Sequence, residues 1–270
     1  MLTAILAYLG VGLIAGFLAG LLGVGGGLVI VPALLYVFAL LGLPPEHHQH
    51  LALGTSMATI VFTGIASLKA HHGRGAVRWP VVKTITPGIL LGTFAGAQLA
   101  AFIPGLGLQW FFVVFAYLVA AQMLLDFKPK PSRALPAMGG MSAVGTTIGL
   151  VSSWVGIGGG SLSVPFMTLC NVPVKEAIGT SAAIGLPIAL AGALGYIVSG
   201  WSAGALPQGA LGFVYLPALA GIVLASFPMA KVGAAAAHRL PVPVLKKCFA
   251  ALLIVLASKM LWSLLSLKGL

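Results

Sequence analysis

The chain has 270 residues, of which 60% are hydrophobic and only 6% are charged, and its mean hydropathy is +1.12. A soluble domain carries about 25% charged residues, so this composition excludes a soluble globular protein and predicts a polytopic membrane protein. The net charge of +11 would indicate nucleic-acid binding in a soluble protein. Here the basic residues fall in a few short loops, as the positive-inside rule describes, and we expect no nucleic-acid partner.

Ten apolar segments follow one another in chain order, separated by short polar stretches. The first five cover residues 2–22, 28–43, 51–68, 80–103 and 108–125. After the hydrophilic stretch DFKPKPSR, the other five cover residues 136–155, 161–171, 177–199, 207–230 and 243–266. We therefore expect an all-α membrane protein with a first transmembrane repeat at 1–125, a cytoplasmic linker at 126–135 and a second transmembrane repeat at 136–270.

The two halves match in register, which indicates an internal duplication. The matches are Gly16 with Gly149, the run Gly25, Gly26 and Gly27 with the run Gly158, Gly159 and Gly160, Val31 and Pro32 with Val164 and Pro165, GTS at 54–56 with GTS at 179–181, and Pro87 with Pro217. Secondary transporters are usually built from such repeats.

Lysine and arginine residues set the predicted orientation. They concentrate in the loop after the third segment, in the linker and in the loop before the tenth segment, at Lys69, Arg74, Arg78, Lys83, Lys128, Lys130, Arg133, Lys231, Arg239, Lys246 and Lys247. The stretches 103–107 and 199–207 hold none. The positive-inside rule places the three basic loops in the cytoplasm, so we predict inverted repeats and both termini outside.

Segment seven is too short to cross a bilayer. From Ser161 to about Cys170 it covers about 15 Å, half of a hydrocarbon core of about 30 Å. Its partner at 28–43 is longer but still short for a full span. We therefore predict two hairpins, segments one and two and segments six and seven, whose glycine tips meet deep in the membrane from opposite sides.

Each glycine run precedes a half-helix, whose free N–H groups and positive dipole end favour an anion without any fixed charge. Neighbouring hydroxyl groups can add donors. The predicted substrate-binding residues are Gly25, Gly26, Gly27, Thr55, Ser56, Gly158, Gly159, Gly160, Ser161, Thr180 and Ser181. Leu28 stands where the second half has Ser161, so the predicted pocket is asymmetric in its hydroxyl groups. The alternative is that the glycines only allow close helix packing.

The stretches GLLGVGGGLVIVPAL and GLVSSWVGIGGGSLSVPFM, each followed by GTS, resemble the TauE/SafE sulfite exporter family over about residues 10–265. The resemblance implies a secondary transporter in the inner membrane of a bacterium or archaeon. It implies export of sulfite or a related anion such as a sulfonate. The implied partners are this small anion and the lipid bilayer, with a homodimer as a further candidate assembly. We expect no cofactor.

Other functions fit the sequence less well. No phosphate-binding P-loop occurs, which disfavours ATP-driven transport. An intramembrane hydrolase at Ser161 would lack a base, because the second half has a single histidine, His238, which falls in a loop. Glu46, Asp126 and Glu176 are the only acids and lie at segment ends or in loops, so a cation or metal permease is disfavoured. A permease or channel for a different small anion stays open.

Several polar or aromatic side chains could serve either packing or function. The histidines of HHQH at 47–50 and of HHGR at 71–74 are expected at opposite membrane faces, solvated and without a metal. Lys259 in the tenth segment either snorkels to an interface or lines the anion path. Trp154 either walls the pocket or only packs, and Gln98 is expected to form an interhelical hydrogen bond.

Overall fold

The computed structural model describes residues 2–22, 26–125, 134–237 and 242–268, and these residues are almost entirely helical. The elements are α1 (Leu2–Leu22), α2 (Gly27–Leu40), a 3₁₀ helix (Pro45–His47), α3 (His48–His72), α4 (Trp79–Ala100), α5 (Gly105–Leu124), α6 (Met138–Val155), α7 (Gly160–Leu169), α8 (Val174–Ser199), β1 (Ala210–Leu211), β2 (Val214–Tyr215), α9 (Leu216–Ala237) and α10 (Val242–Lys268). The hydrophilic stretch at 126–133, His238 and Arg239 lie outside the described residues.

Each predicted segment corresponds to one helix, so the all-α membrane architecture is confirmed. Among the starts of the segments, only that of the ninth differs clearly: the prediction is residue 207, whereas the helix begins at Leu216. The residues before it form a two-residue antiparallel hairpin, in which Leu211 pairs with Val214. Gly212 has φ +53° in the turn, a conformation that favours glycine and suits a two-residue hairpin turn.

Six helices of the described chain are long and apolar enough to cross a bilayer, namely α1, α3, α5, α8, α9 and α10. The apolar helices α2 and α7 have only 14 and 10 residues, or about 21 and 15 Å at 1.5 Å per residue. They therefore have the length of the predicted half-helices. The chain is a multi-pass membrane protein in which short helices accompany full spans.

The centre of the molecule is the pair α3 and α8. Gly54 near the start of α3 packs on Tyr196 near the end of α8, and Met57 packs on Gly192. Later residues of one helix meet earlier residues of the other, so the two helices run antiparallel. Both are buried over most of their length, and they form the wall against which the shorter helices pack.

Two further helix pairs each join one helix of the first half to one helix of the second, and glycines allow their close contact. The first helix, α1, packs along α9, and its counterpart, α6, packs along α4. The contacts are Gly12 with Ile222, Gly16 with Ser226, Gly145 with Ile85 and Gly149 with Ile89. Ile85 and Ile222 stand at the same distance from the starts of α4 and α9, and so do Ile89 and Ser226. This exchange of partners supports the predicted duplication, and it gives these glycines a packing role.

One predicted match between the halves needs correction. Pro217 is the second residue of α9, and the second residue of α4 is Pro80, whereas Pro87 lies two turns further along α4. Proline suits the first turn of a helix, where its missing N–H group would have no intrahelical partner. Pro80 is therefore the structural counterpart of Pro217.

Candidate functional site

The first glycine run touches the two residues that precede the second run. Gly27 opens α2 and lies against the backbone of Gly156 and Ile157. A Cβ atom on Gly27 would collide with the carbonyl oxygen of Gly156 and would lie 3.1 Å from the Cα atom of Ile157. Only glycine fits here. Gly25, also predicted as a site residue, lies outside the described residues.

Both half-helices begin in the same way, at a glycine in the left-handed region. Gly26 precedes α2 with φ +74°, and Gly159 precedes α7 with φ +76°. The Gly159 carbonyl accepts the N–H groups of Leu162 and Ser163, at 3.0 and 2.8 Å. The N–H groups of the first residues of α7 have no intrahelical acceptor and point out of the helix end. A left-handed glycine thus presents free donors at each tip.

The second run lies beside the middle of the central helix pair. A Cβ atom on Gly158 would lie 3.3 Å from Cγ2 of Ile60 and 3.8 Å from the Cα atom of Gly185. Ile60 is the middle residue of α3, and Gly185 lies close to the middle of α8. Gly158, Gly159 and the first residue of α7, Gly160, are all buried. The tip of α7 is therefore deep in the protein, covered by both central helices.

Two serine hydroxyl groups at this tip have no hydrogen-bond partner. They belong to Ser161, in the first turn of α7, and to Ser152 of α6, which is fully buried. The Ser152 Oγ atom lies 3.5 Å from the place of a Cβ atom on Gly159. An unpaired buried hydroxyl group costs about 1–3 kcal/mol, and such a group needs an explanation in a native protein. Two of them beside one helix N-terminus indicate a site for a hydrogen-bond acceptor.

Ser161 was among the predicted residues, whereas Ser152 was missed. The alignment of the two halves contains a signal for Ser152. Ser152 and Ser161 stand where the first half has the apolar residues Ala19 and Leu28. Leu28 is buried, and a Cβ atom on Gly26 would lie 3.3 Å from Cβ of Ala19. The tip of α2 is consequently apolar where the tip of α7 has hydroxyl groups, which agrees with the predicted asymmetry.

The paired GTS motifs hold the helices together. The Oγ1 atom of Thr55 accepts the backbone N–H of Tyr215, just before α9, and Oγ1 of Thr180 accepts the N–H of Arg78, just before α4, both at 2.9 Å. The two threonines therefore anchor the starts of equivalent helices. Their contribution as direct ligands stays a prediction.

The two GTS serines also have partners within the protein. Ser56 Oγ donates to the Gly156 carbonyl at 2.8 Å, which fixes the chain just before the second glycine run against α3. Ser181 Oγ accepts a hydrogen bond from Ser163 Oγ at 3.0 Å, which joins α8 to α7. Among the hydroxyl groups predicted as ligands, Ser161 is the one with an unpaired oxygen.

The charged side chains of the described residues lie away from this tip. Arg78 and Glu176 form an ion pair where the loop before α4 meets the first turn of α8. Lys259 is exposed on the outer surface of α10, with its ammonium group 4.6 Å from the centre of the Tyr36 ring. No group of three metal-ligating side chains occurs in the part of the chain that the structure describes. The tip offers neutral donors and a helix dipole.

Two other side chains acquire definite roles. Trp154 packs on Phe111 and donates through Nε1 to the Gly96 carbonyl at 2.9 Å, which matches the packing alternative. Gln98 donates to the Gly195 carbonyl at 2.9 Å, so its predicted interhelical hydrogen bond is confirmed.

The expectation of solvated histidines is wrong for His50. Its side chain is 5% exposed, stacks on the Phe213 ring and bonds through Nε2 to the Ala100 carbonyl. The loop before α9 and the end of α4 cover it, and no sequence pattern placed them there. His47, one turn earlier, bonds through Nε2 to the Gly204 carbonyl at 3.0 Å.

Comparison with known proteins agrees with this architecture. A probable membrane transporter protein of Haemophilus influenzae is 44% identical over 265 residues, which cover 96% of this chain and 99% of that protein. The probable membrane transporter YunE of Bacillus subtilis is 29% identical over 70% of this chain and 77% of its own length. No solved structure matches. The profile of the family described as sulfite exporter TauE/SafE matches residues 8–260, and the chain belongs to this family of membrane transporters.

Proposed function

We propose that this transporter binds a small sulfur-containing anion, sulfite or an organosulfonate, at the N-terminus of α7 and exports it by alternating access. The observation that carries the proposal is the pair of unpaired hydroxyl groups, Ser152 and Ser161, beside a buried half-helix start. Sulfite is the substrate that the family description names.

The chemistry of the tip suits an anion that must be released again. The N-terminus of a helix carries about half a positive elementary charge, and hydrogen bonds from neutral groups to a charged acceptor contribute about 1.5–3 kcal/mol each. Ser152, Ser161 and the free N–H groups of α7 supply several such donors. No lysine or arginine contacts the tip among the described residues. The anion is therefore held by neutral donors alone, which leaves it free to be released on the other side of the membrane.

Inverted repeats are part of the proposal. The equivalent helices α3 and α8 run antiparallel, which supports a two-fold axis in the membrane plane. The start of α3 contacts the uncharged loop through His47 and Gly204, and the start of α8 contacts the basic loop through Thr180 and Arg78. With the basic loop in the cytoplasm, we place both termini on the periplasmic side of an inner membrane and the linker at 126–135 inside, between repeats at 1–125 and 136–270.

The test is sulfite binding to the purified protein, measured by calorimetry in anaerobic buffer. Sulfate, thiosulfate, methanesulfonate and chloride serve as competitors. We expect Ser161→Ala to raise the Kd for sulfite about tenfold or more, since it removes one donor to the anion. Ser163→Ala is the matched control: it lies on the same helix, and its hydroxyl group is occupied by Ser181, so its Kd should change less than about threefold.

Three results would contradict the proposal in different ways. If none of these anions binds, the sulfur-anion function is wrong. If chloride competes as well as sulfite, the protein is a permease or channel for a different anion. If sulfite binds equally to both variants, the function stands and the site lies elsewhere. Sulfite efflux from proteoliposomes, with the same two variants, then shows whether the binding site is the transport site.

A further inference from the structure

A group of polar and aromatic side chains surrounds Lys259 on the outer surface of α10. The ammonium group of Lys259 lies over the Tyr36 ring of α2, at 4.6 Å from the ring centre. The preceding residue, Ser258, shares a 2.7 Å hydrogen bond with the Tyr117 hydroxyl group of α5. Trp262 is 76% exposed and neighbours Lys259, since residues three apart meet on a helix surface. We call these five residues the Lys259 patch.

The Lys259 patch lies within reach of lipid head groups. Lys259 is seven residues before Ser266, the end of the apolar span of α10, which corresponds to about 10 Å of helix rise. Tyr36 is one turn before the end of α2 at Leu40. A lysine this close to the end of a span extends its ammonium group toward the interface, where tyrosine and tryptophan are also enriched. The patch therefore faces the leaflet at the C-terminal end of α10.

The charge of Lys259 has no acidic partner among the residues that the structure describes. The sequence holds three acids, Glu46, Asp126 and Glu176. Glu46 precedes α3, and Glu176 pairs with Arg78; Asp126 lies outside the described residues, in the hydrophilic stretch after α5. A second copy of the chain, laid on this face, would add another Lys259 and no carboxylate from a membrane span. Because an uncompensated charge is costly next to apolar surroundings, the counter-charge must come from outside the protein.

We propose that the Lys259 patch binds an anionic phospholipid through its phosphate group. The ammonium group donates to a phosphate oxygen, and the Tyr36 ring holds the ammonium group in place. Whichever hydroxyl group accepts the bond between Ser258 and Tyr117 keeps its own proton for a second phosphate oxygen. The bound lipid ties the end of α2, the helix that opens at the first glycine run, to α10. The inference is independent of the anion proposed for the tip of α7.

The experiment uses the full chain in vesicles of phosphatidylcholine that contain increasing fractions of brominated phosphatidylglycerol. Bromine atoms on the acyl chains quench the fluorescence of a tryptophan that they contact. The signal of Trp262 is the difference between each protein and its Trp262→Phe counterpart. One lysine near the membrane surface contributes about fivefold to the affinity for an anionic lipid. We therefore expect phosphatidylglycerol to bind beside Trp262 about fivefold more tightly than brominated phosphatidylcholine does in the reverse titration.

Three lysine variants locate the effect. Lys259→Met keeps the length of the side chain without its charge and should abolish the preference for phosphatidylglycerol. Lys259→Arg keeps the charge and should retain the preference. The matched control is Lys231→Met, because Lys231 is an exposed lysine on α9 whose ammonium group lies 5.6 Å from the centre of the Phe227 ring. That variant should keep the full preference.

Several results would overturn the inference. Equal binding of both lipids to the wild type, or a preference that survives Lys259→Met, would show that the patch does not select an anionic lipid. A preference lost equally in Lys231→Met would come from the overall charge of the protein. Quenching by neither lipid would mean that a protein surface, such as a second copy, covers the patch.

Inorganic phosphate separates the two sources of a phosphate group. At the ionic strength of a chloride control it should leave the bound lipid in place, because a free phosphate has no acyl chains to hold it at the protein–membrane border. Displacement of the lipid would assign the site to free phosphate and overturn the lipid assignment. None of these outcomes affects sulfite binding in calorimetry, so the proposed function stands or fails separately.

Discussion

Gly159 is the residue whose replacement tests the geometry of the α7 tip most directly. An alanine there must adopt φ +76°, which costs roughly 1–2 kcal/mol for an L-residue. Its Cβ atom would also collide with Cδ1 of Ile188, a side chain without exposed surface, and such overpacking costs typically about 1–3 kcal/mol. Gly159→Ala should therefore lower the free energy of unfolding by about 2–5 kcal/mol.

The neighbouring glycine provides the control. Gly158 has no left-handed φ, and a Cβ atom on it would meet Cγ2 of Ile60 at 3.3 Å, so Gly158→Ala should cost less than about 1 kcal/mol. The two contributions at Gly159 can be separated with Ile188→Val, which removes the colliding Cδ1 atom at a cost of about 0.5–1.5 kcal/mol. In this background Gly159→Ala should cost only the backbone strain.

The assay is reversible unfolding in mixed micelles, with wild type, the three single variants and the double variant Gly159→Ala/Ile188→Val. The cycle should give a favourable coupling of about 1–3 kcal/mol between the two positions. If Gly159→Ala is as mild as Gly158→Ala, residue 159 is not held in the left-handed region, and the placement of the free N–H groups at this tip is wrong. A coupling near zero would refute the contact with Ile188 alone.

Three further predictions concern the helix contacts. Thr180→Val and Thr55→Val should each lower the stability by about 1–2 kcal/mol, because the N–H groups of Arg78 and Tyr215 lose their acceptor; Thr→Ser at either position should retain it, as thermal unfolding will show. Gly16→Ala should destabilise by several kcal/mol (~3) through collision with the Ser226 backbone, whereas Gly10→Ala, with open space around it, should be neutral or stabilising. Trp154→Phe should cost about 1 kcal/mol for the lost bond to Gly96 and leave the Kd for sulfite unchanged in calorimetry.

The helices and the meeting of the tips were accessible from the sequence because simple physical limits govern them. A ten-residue apolar segment cannot cross a bilayer, so the length of α7 alone predicts a half-helix. The glycine run before it predicts a reversal with positive φ, which Gly159 shows. The two-residue hairpin before α9 was missed because its strands are shorter than any periodic pattern that a sequence can display.

The ligand side chains were harder to predict, since a sequence does not say which hydroxyl groups are already paired. Thr55 and Thr180 look like donors beside a pocket until their backbone partners are located just before α9 and α4. Ser152 precedes the glycine run by several residues and lies on another helix, so only tertiary packing brings it to Gly159. His50 is buried for the same reason, by a loop far away in the sequence.

The comparison of the two halves suggests which parts of the protein move and which parts recognise the substrate. The left-handed caps at Gly26 and Gly159, and the anchors at Thr55 and Thr180, occur in both halves with the same geometry. A mechanism that alternates between two faces needs such equivalent parts on both sides. The unpaired hydroxyl groups of Ser152 and Ser161 occur in one half only. Under the proposed function, a single bound anion needs one polar tip, and a second polar tip would hold the anion against release, which accounts for the apolar tip of α2.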